Sequence, residues 1–177
     1  HRPELTGGAD RFGLTGPADV RADRAGFRNR PACGCHSVAM KPLDGIRVID
    51  FTRVVAGPLA TRVLADQGAD VIKVEPPEGD MTRGFPPLGA HGITPYFAHQ
   101  NAGKRFCSMD LSAPGATDVV YELLEHCDVL IENYRPGVMA RLGLGPDEVL
   151  ERFPSLVYCS VTGFGQSGPW ADRRAYA

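Results

Sequence analysis

The feature that most constrains this chain is the alternation of short apolar runs with segments of helical period. Five short runs are predicted as strands, at residues 46–51, 70–74, 105–111, 129–133 and 156–161, and all but the third are rich in Val, Ile and Leu. Several are continuous apolar runs and not in-out alternations, a pattern typical of parallel strands that are buried on both faces. The sequence therefore predicts an α/β domain with a doubly wound, mostly parallel sheet.

The segments between the predicted strands have helical patterns, at residues 58–67, 116–126, 138–142 and 146–153. Residues 78–103 are different, because they carry many Gly and Pro residues and show no clear period. We predict a long loop there, and loops of this length are often functional.

The turns that follow the predicted strands indicate where a ligand binds. In an open parallel sheet, ligands bind at the carboxyl ends of the strands, which here means the turns at 52–58, 75–80, 133–137 and 162–169. These turns contain Gly or Pro and polar side chains: Arg53, Glu75, Asn133, Arg135 and Gln166. A nucleotide-bearing ligand fits this composition. The dinucleotide fingerprint G-x-G-x-x-G and the Walker pattern are both missing, which argues against NAD(P) and ATP.

Charge and hydropathy exclude several classes of partner. The formal net charge is -2, so no concentrated basic surface points to nucleic acid or an anionic membrane. No apolar run approaches the roughly 18 residues needed to span a bilayer, and we expect a cytoplasmic protein. The five cysteines are scattered, and the single cluster, Cys33-Gly-Cys35-His36, has no second ligand pair at finger-like spacing. We therefore predict neither a disulfide framework nor a metal site.

The two ends of the chain differ from its middle. Residues 1–39 are rich in Arg, Gly, Ala, Asp and Pro without a period, and the first methionine is Met40. We predict that residues 1–39 are a disordered or non-native upstream extension and that the domain occupies residues 40–177. The last residues follow a glycine-rich turn without a closing helix, so we also expect that the natural chain continues.

Six segments, in order, resemble the opening of class III (CaiB/BaiF-type) CoA-transferases. They lie at residues 43–58, 64–75, 79–83, 101–105 with 109–111, 128–137 with 142–144, and 160–169. The resemblance covers residues 41–177 almost without a break. It implies a Rossmann-like coenzyme A-binding domain, of which this chain is the amino-terminal part, in an interlocked homodimer.

The resemblance also implies an activity. Members of the family move coenzyme A between carboxylic acids, through acyl anhydride and thioester intermediates on an aspartate. Coenzyme A and its thioesters are then substrates, a carboxylic acid is the acceptor, and no cofactor is tightly bound. The nucleophilic aspartate is expected beyond Ala177, so the chain as given has no catalytic residue and is expected to be inactive alone.

The positions that contact coenzyme A can be transferred residue by residue. They are Arg53, Val54, Val55, Met109, Asn133, Tyr134 and Arg141. Met109 matches an apolar contact to adenine, and Arg141 matches a basic group suited to the phosphates. Some members have a coenzyme A-binding arginine where this chain has Pro76, so that contact is not expected here.

Two other functions share these motifs. The α-methylacyl-CoA racemases have the same fold and use a histidine and an aspartate as an acid–base pair at the thioester α-carbon. The aligned position is Tyr176 here, and a phenol with a pKa near 10 is a poor base near neutral pH, which favours the transferase. The other alternative is an inactive fragment that binds coenzyme A.

Overall fold

The fold is a five-stranded sheet covered by helices, in a computed structural model that describes residues 40–89 and 92–175. The strands are β1 (Arg47–Asp50), β2 (Asp70–Glu75), β3 (Arg105–Ser108), β4 (Val129–Glu132) and β5 (Val157–Ser160). Their order in the sheet is β3-β2-β1-β4-β5, and every neighbouring pair is parallel. The predicted doubly wound, parallel α/β class is confirmed, as are all five predicted strands.

Each pair of consecutive strands is joined by helical structure. The α-helices are α1 (Ala56–Asp66), α2 (Pro95–Gln100), α3 (Ala116–Leu124), α4 (Val138–Arg141) and α5 (Pro146–Arg152). All four predicted helices are confirmed. Within the described part of the chain, no helix is both long and apolar enough to cross a membrane.

The prediction of a long loop at residues 78–103 is wrong in part. This segment contains a 3-10 helix, Met81–Gly84, and helix α2. The Thr94 hydroxyl caps α2 by accepting a hydrogen bond from the Phe97 amide at 2.9 Å, and Pro95 occupies the first turn. Thr followed by Pro is a helix-start signal. Both helices are too short to show a period among the surrounding Gly and Pro residues.

The core lies on both faces of the sheet, because alternate residues of each strand point in opposite directions. On one face Val48, Val71 and Ile131 pack with partly buried residues of α1. On the opposite face the buried cluster combines strand residues with residues of α3, α4 and α5: Ile49, Leu130, Val120, Leu124, Met139 and Val149. Burial on both faces explains why the strands read as continuous apolar runs.

The strand order places the topological switch point between β1 and β4. From these adjacent strands the chain winds towards opposite edges of the sheet, which opens a crevice at their carboxyl ends. Helix α1 starts tightly against the end of β1, since a Cβ at Gly57 would overlap the Thr52 side chain. The fold therefore gathers the turns after β1, β2 and β4 at one edge.

We predict that Leu130→Ala lowers the free energy of unfolding by about 2–5 kcal/mol, because it creates a cavity in a central strand. Leu130 is fully buried, whereas Leu59 on α1 is 43% exposed and is the matched control. Leu59→Ala should change stability by less than about 0.5 kcal/mol. Urea unfolding followed by circular dichroism measures both, and equal losses would contradict the assigned core.

Candidate functional site

The turn that follows β1 has a strained backbone. Val54 has a φ of 71°, a left-handed conformation that β-branched residues rarely adopt. The Val54 amide donates a hydrogen bond to the Asp80 carboxylate at 3.1 Å. Strained residues of this kind persist only where the surrounding structure holds them, and they cluster at functional sites.

A buried ion pair lies beside this turn. The Lys73 ammonium is 3.3 Å from the Asp80 carboxylate, and the two side chains are 0% and 1% exposed. Lys73 also donates to the carbonyl oxygen of Thr52 at 2.5 Å. Burial alone would raise the pKa of Asp80, but hydrogen bonds from the Thr82 and Val54 amides and the charge of Lys73 hold it below its ordinary value. Asp80 is therefore a charged anchor for the turn.

A second buried ion pair joins β1 to the segment before β3. Lys104 lies 3.0 Å from Asp50, and both side chains are fully buried. The Lys104 ammonium also donates to the Pro58 carbonyl at 2.9 Å and to Asn101 at 2.8 Å, so its three donors are satisfied. Burial lowers the pKa of Lys104 to about 8, while Asp50 opposes the shift. Lys104 therefore remains largely protonated at pH 7.

Asn133 bridges the two strands at the switch point. Its side-chain oxygen accepts a hydrogen bond from the Arg53 amide at 2.7 Å, and its side-chain nitrogen donates to the Arg53 carbonyl at 2.8 Å. The Arg53 guanidinium lies 5.8 Å from the centre of the Tyr134 ring, within cation–π range. Arg53, Asn133 and Tyr134, three of the residues predicted to bind coenzyme A, thus lie together here. The side-chain amide of Asn133 already forms hydrogen bonds with the backbone of Arg53.

A cavity of about 190 Å³ opens at the carboxyl ends of β2, β3 and β4. Its lining combines apolar side chains with a few polar ones: Val74, Glu75, Pro76, Met109, Asp110, Leu111, Ser112, Tyr134 and Leu142. Two predicted contacts, Met109 and Tyr134, therefore share one pocket. Pro76 also lines it, at the position where some family members are expected to carry an arginine.

The remaining predicted contacts lie outside this lining. Val55 is the residue that precedes helix α1. Arg141 ends helix α4, is exposed, and directly precedes the pocket residue Leu142. Whether any of the seven positions contacts coenzyme A stays a prediction.

A smaller cavity of about 30 Å³ lies at the ends of β4 and β5. Arg135 and Gln166 line it together with Glu132 and Ser160. Burial raises the pKa of Glu132, although hydrogen bonds from Ser160 and the Tyr134 amide oppose the shift. Polar turn residues therefore line both cavities: Glu75 lines the larger one, whereas Arg135 and Gln166 line the smaller one.

Sequence reasoning missed the buried ion pairs. Lys73 interrupts an apolar strand, and a lysine inside a buried strand requires a partner. Lys73 was therefore the available signal for a charge pair at the end of β2, although it does not identify Asp80 as the partner. Asp110 stabilises the turn after β3, where its carboxylate accepts hydrogen bonds from the amide and hydroxyl of Ser112 at 2.9 and 2.6 Å.

Several predictions fall outside the described residues. The proposed extension 1–39, the cluster of Cys33, Cys35 and His36, and Tyr176 at the racemase position all lie there. Within residues 40–89 and 92–175, no group of three or more His, Cys, Asp or Glu side chains could hold a metal ion.

The strand order, with a pocket at the carboxyl edge beside the switch point, defines the class of a Rossmann-like α/β domain. Comparison with known proteins identifies the family. The model of CoA-transferase family III matches residues 43–177, and the chain belongs to this family.

Individual relatives agree with this membership. The chain is 43% identical over 151 residues to the succinyl-CoA:glutarate CoA-transferase of Mus musculus, covering 85% of this chain and 34% of that protein. It is 46% identical over 140 residues to a probable fatty acyl-CoA transferase of Mycobacterium tuberculosis, covering 75% and 34%. A crystal structure of a CaiB/BaiF family protein from Brucella suis superposes with a TM-score of 0.74 at 41% identity, covering 78% and 38%. The chain thus spans about a third of the length of these curated relatives.

We predict that Asp80→Asn lowers the free energy of unfolding by roughly 3–5 kcal/mol, because it leaves the buried Lys73 without its carboxylate. Asp172→Asn, at an exposed position, is the matched control and should change stability by less than about 0.5 kcal/mol. Guanidinium unfolding of both variants measures the difference. A loss at Asp80 no larger than at Asp172 would show that the pair does not anchor the turn.

Proposed function

We propose that the complete protein transfers coenzyme A between carboxylic acids, and that this chain forms the cradle for the nucleotide end of coenzyme A. The observation that carries the proposal is the pocket containing Met109 and Tyr134, at the ligand-binding edge of a chain that belongs to CoA-transferase family III. Two relatives support it, since their names describe transfer of coenzyme A between succinate and glutarate and transfer of fatty acyl-CoA.

The size and lining of the pocket suit one ring system. Its volume of about 190 Å³ is below the roughly 300–1,000 Å³ of pockets that hold a drug-sized ligand. It exceeds the engineered cavity of about 150 Å³ that binds benzene in another protein. Met109, Leu111 and Tyr134 provide apolar and aromatic walls. We therefore place the adenine base in the pocket and the rest of coenzyme A outside it.

Two arginines are suited to the phosphates of coenzyme A. Arg141 is exposed next to the pocket residue Leu142, and Arg53 lies over the ring of Tyr134. Guanidinium groups bind phosphate through charge-assisted, often bidentate hydrogen bonds. We propose that the adenine base is buried beside Met109 and that the phosphates of coenzyme A remain at the mouth of the pocket.

On this proposal the reacting group is an aspartate of the complete protein that is not among the residues of this chain. Its carboxylate oxygen attacks the thioester carbonyl, the C–S bond breaks, and a mixed anhydride and coenzyme A thiolate form. The thiolate attacks the aspartyl carbonyl of the anhydride, which releases the first acid and gives an aspartyl thioester. A second carboxylate repeats the first step on that thioester, and the thiolate then takes the new acyl group and frees the aspartate.

The residues of this chain contribute by holding the carrier through these steps. The thiolate must stay bound while one acid leaves and another enters, and binding energy from a remote nucleotide supplies that retention. On this proposal the chain as given binds coenzyme A but transfers nothing, since the nucleophile is not among its residues. The complete protein acts as an interlocked homodimer in the cytoplasm.

We predict that the 177-residue chain binds coenzyme A and that Arg141→Ala weakens binding about 10- to 150-fold. This range corresponds to losing a charge-assisted hydrogen bond of about 1.5–3 kcal/mol. Titration calorimetry at fixed ionic strength provides the measurement.

Arg152→Ala is the matched control. Arg152 ends helix α5 shortly before β5 begins, and its guanidinium lies 4.5 Å from the centre of the Tyr121 ring. It is therefore placed near the amino edge of the sheet, and its loss should change the affinity less than twofold. Absence of coenzyme A binding by the folded wild-type chain would overturn the proposed function.

A further inference from the structure

Glu75 presents a hydrogen-bond acceptor that the fold leaves unused. It ends β2, is 6% exposed, and lines the pocket that contains Met109 and Tyr134. One carboxylate oxygen, Oε2, accepts a hydrogen bond from Arg83 at 2.7 Å. The other oxygen, Oε1, is buried and has no hydrogen-bond partner among the described residues. A buried acceptor without a partner is destabilising, so a ligand that donates to it gains affinity.

The orientation of this carboxylate is fixed by its neighbours. The Arg83 guanidinium lies 3.9 Å from the centre of the Phe97 ring and 5.2 Å from that of Phe106. Gly79 leaves room for the arginine, since a Cβ there would stand 2.8 Å from its Cδ. Because Arg83 packs on these two rings and donates to one carboxylate oxygen, the orientation of the carboxylate plane is fixed. Oε1 therefore marks a fixed acceptor position.

The chemistry of this position restricts the group that can occupy it. A carboxylate repels phosphate, so the phosphorylated ribose of coenzyme A is disfavoured beside Glu75. In dinucleotide-binding domains, an acidic residue likewise favours a free ribose hydroxyl, whereas an arginine accommodates a ribose phosphate. The base is uncharged and fits between the apolar walls formed by Met109 and Leu111. The exocyclic 6-amino group is the hydrogen-bond donor that adenine offers.

We propose that Glu75 is a specificity-determining residue, whose Oε1 accepts a hydrogen bond from the 6-amino group of the adenine of coenzyme A. This inference rests on the proposed function, because it assumes that the adenine enters the pocket. It assigns to Glu75 the discrimination between a 6-aminopurine and a 6-oxopurine carrier. A 6-oxo group would place a second acceptor against the carboxylate, and two acceptors repel each other.

The test compares coenzyme A with its hypoxanthine analogue, in which a 6-oxo group replaces the 6-amino group. Titration calorimetry with the full 177-residue chain should show that the wild type binds coenzyme A at least about tenfold more tightly. In Glu75→Gln the amide oxygen must accept from Arg83, so the amide NH2 takes the position of Oε1 and becomes a donor. The ratio of the affinity for coenzyme A to the affinity for the hypoxanthine analogue should then fall by at least about tenfold, because the new donor favours the 6-oxo group.

Glu78→Gln is the matched control, because Glu78 lies three residues away and is exposed. It should keep the wild-type ratio, and unfolding curves show whether both variants are folded. Equal affinity of the wild type for the two ligands would overturn the role of Glu75 even if the Gln variant does not fold. An unchanged ratio in a folded Glu75→Gln variant would overturn it as well. Failure of the wild type to bind either ligand would instead overturn the proposed function.

Discussion

Two buried ion pairs hold the carboxyl end of β1 and the turn that follows it in place. Lys73 with Asp80 and Lys104 with Asp50 tie the turn after β1 to the segments that precede and follow α2. Breaking one partner of such a pair leaves a charge in the interior, which is strongly unfavourable. The Asp80 carboxylate, which Lys73 holds in place, accepts a hydrogen bond from the Val54 amide and so holds Val54 in a backbone conformation that its side chain disfavours.

The remaining contacts extend this rigidity around the edge of the sheet. Asn133 joins the turns after β1 and β4 through the backbone of Arg53, and Arg83 fixes the carboxylate of Glu75. The pocket beside Tyr134 is thus bounded by turns that other parts of the chain hold in place. Preorganisation of this kind lowers the entropic cost of binding a ligand at this edge of the sheet.

The sheet and most helices could be predicted from the sequence, because each of these elements carries its own apolar run or helical period. The sequence did not predict α2 or the 3-10 helix, whose sequence signals are limited to the caps at Thr94 and Asp80 and to Pro95 in the first turn of α2. The hydrogen bonds between the Asn133 side chain and the Arg53 backbone form because β1 and β4 are neighbours in the sheet. The two residues are 80 positions apart, and no local pattern in the sequence indicates that they meet. Met109 and Tyr134 were singled out by resemblance alone, and their meeting in one pocket follows from the strand order.

We propose that the carboxyl edge of this sheet cradles the nucleotide end of coenzyme A. Titration of coenzyme A into the 15N-labelled 177-residue chain, followed by two-dimensional NMR, tests it residue by residue. We expect saturable shifts in the amides of Val54, Met109 and Tyr134, with little change at Asp128 and Val157 at the amino ends of β4 and β5. Shifts confined to the amino edge, or no shifts at saturating coenzyme A, would contradict it.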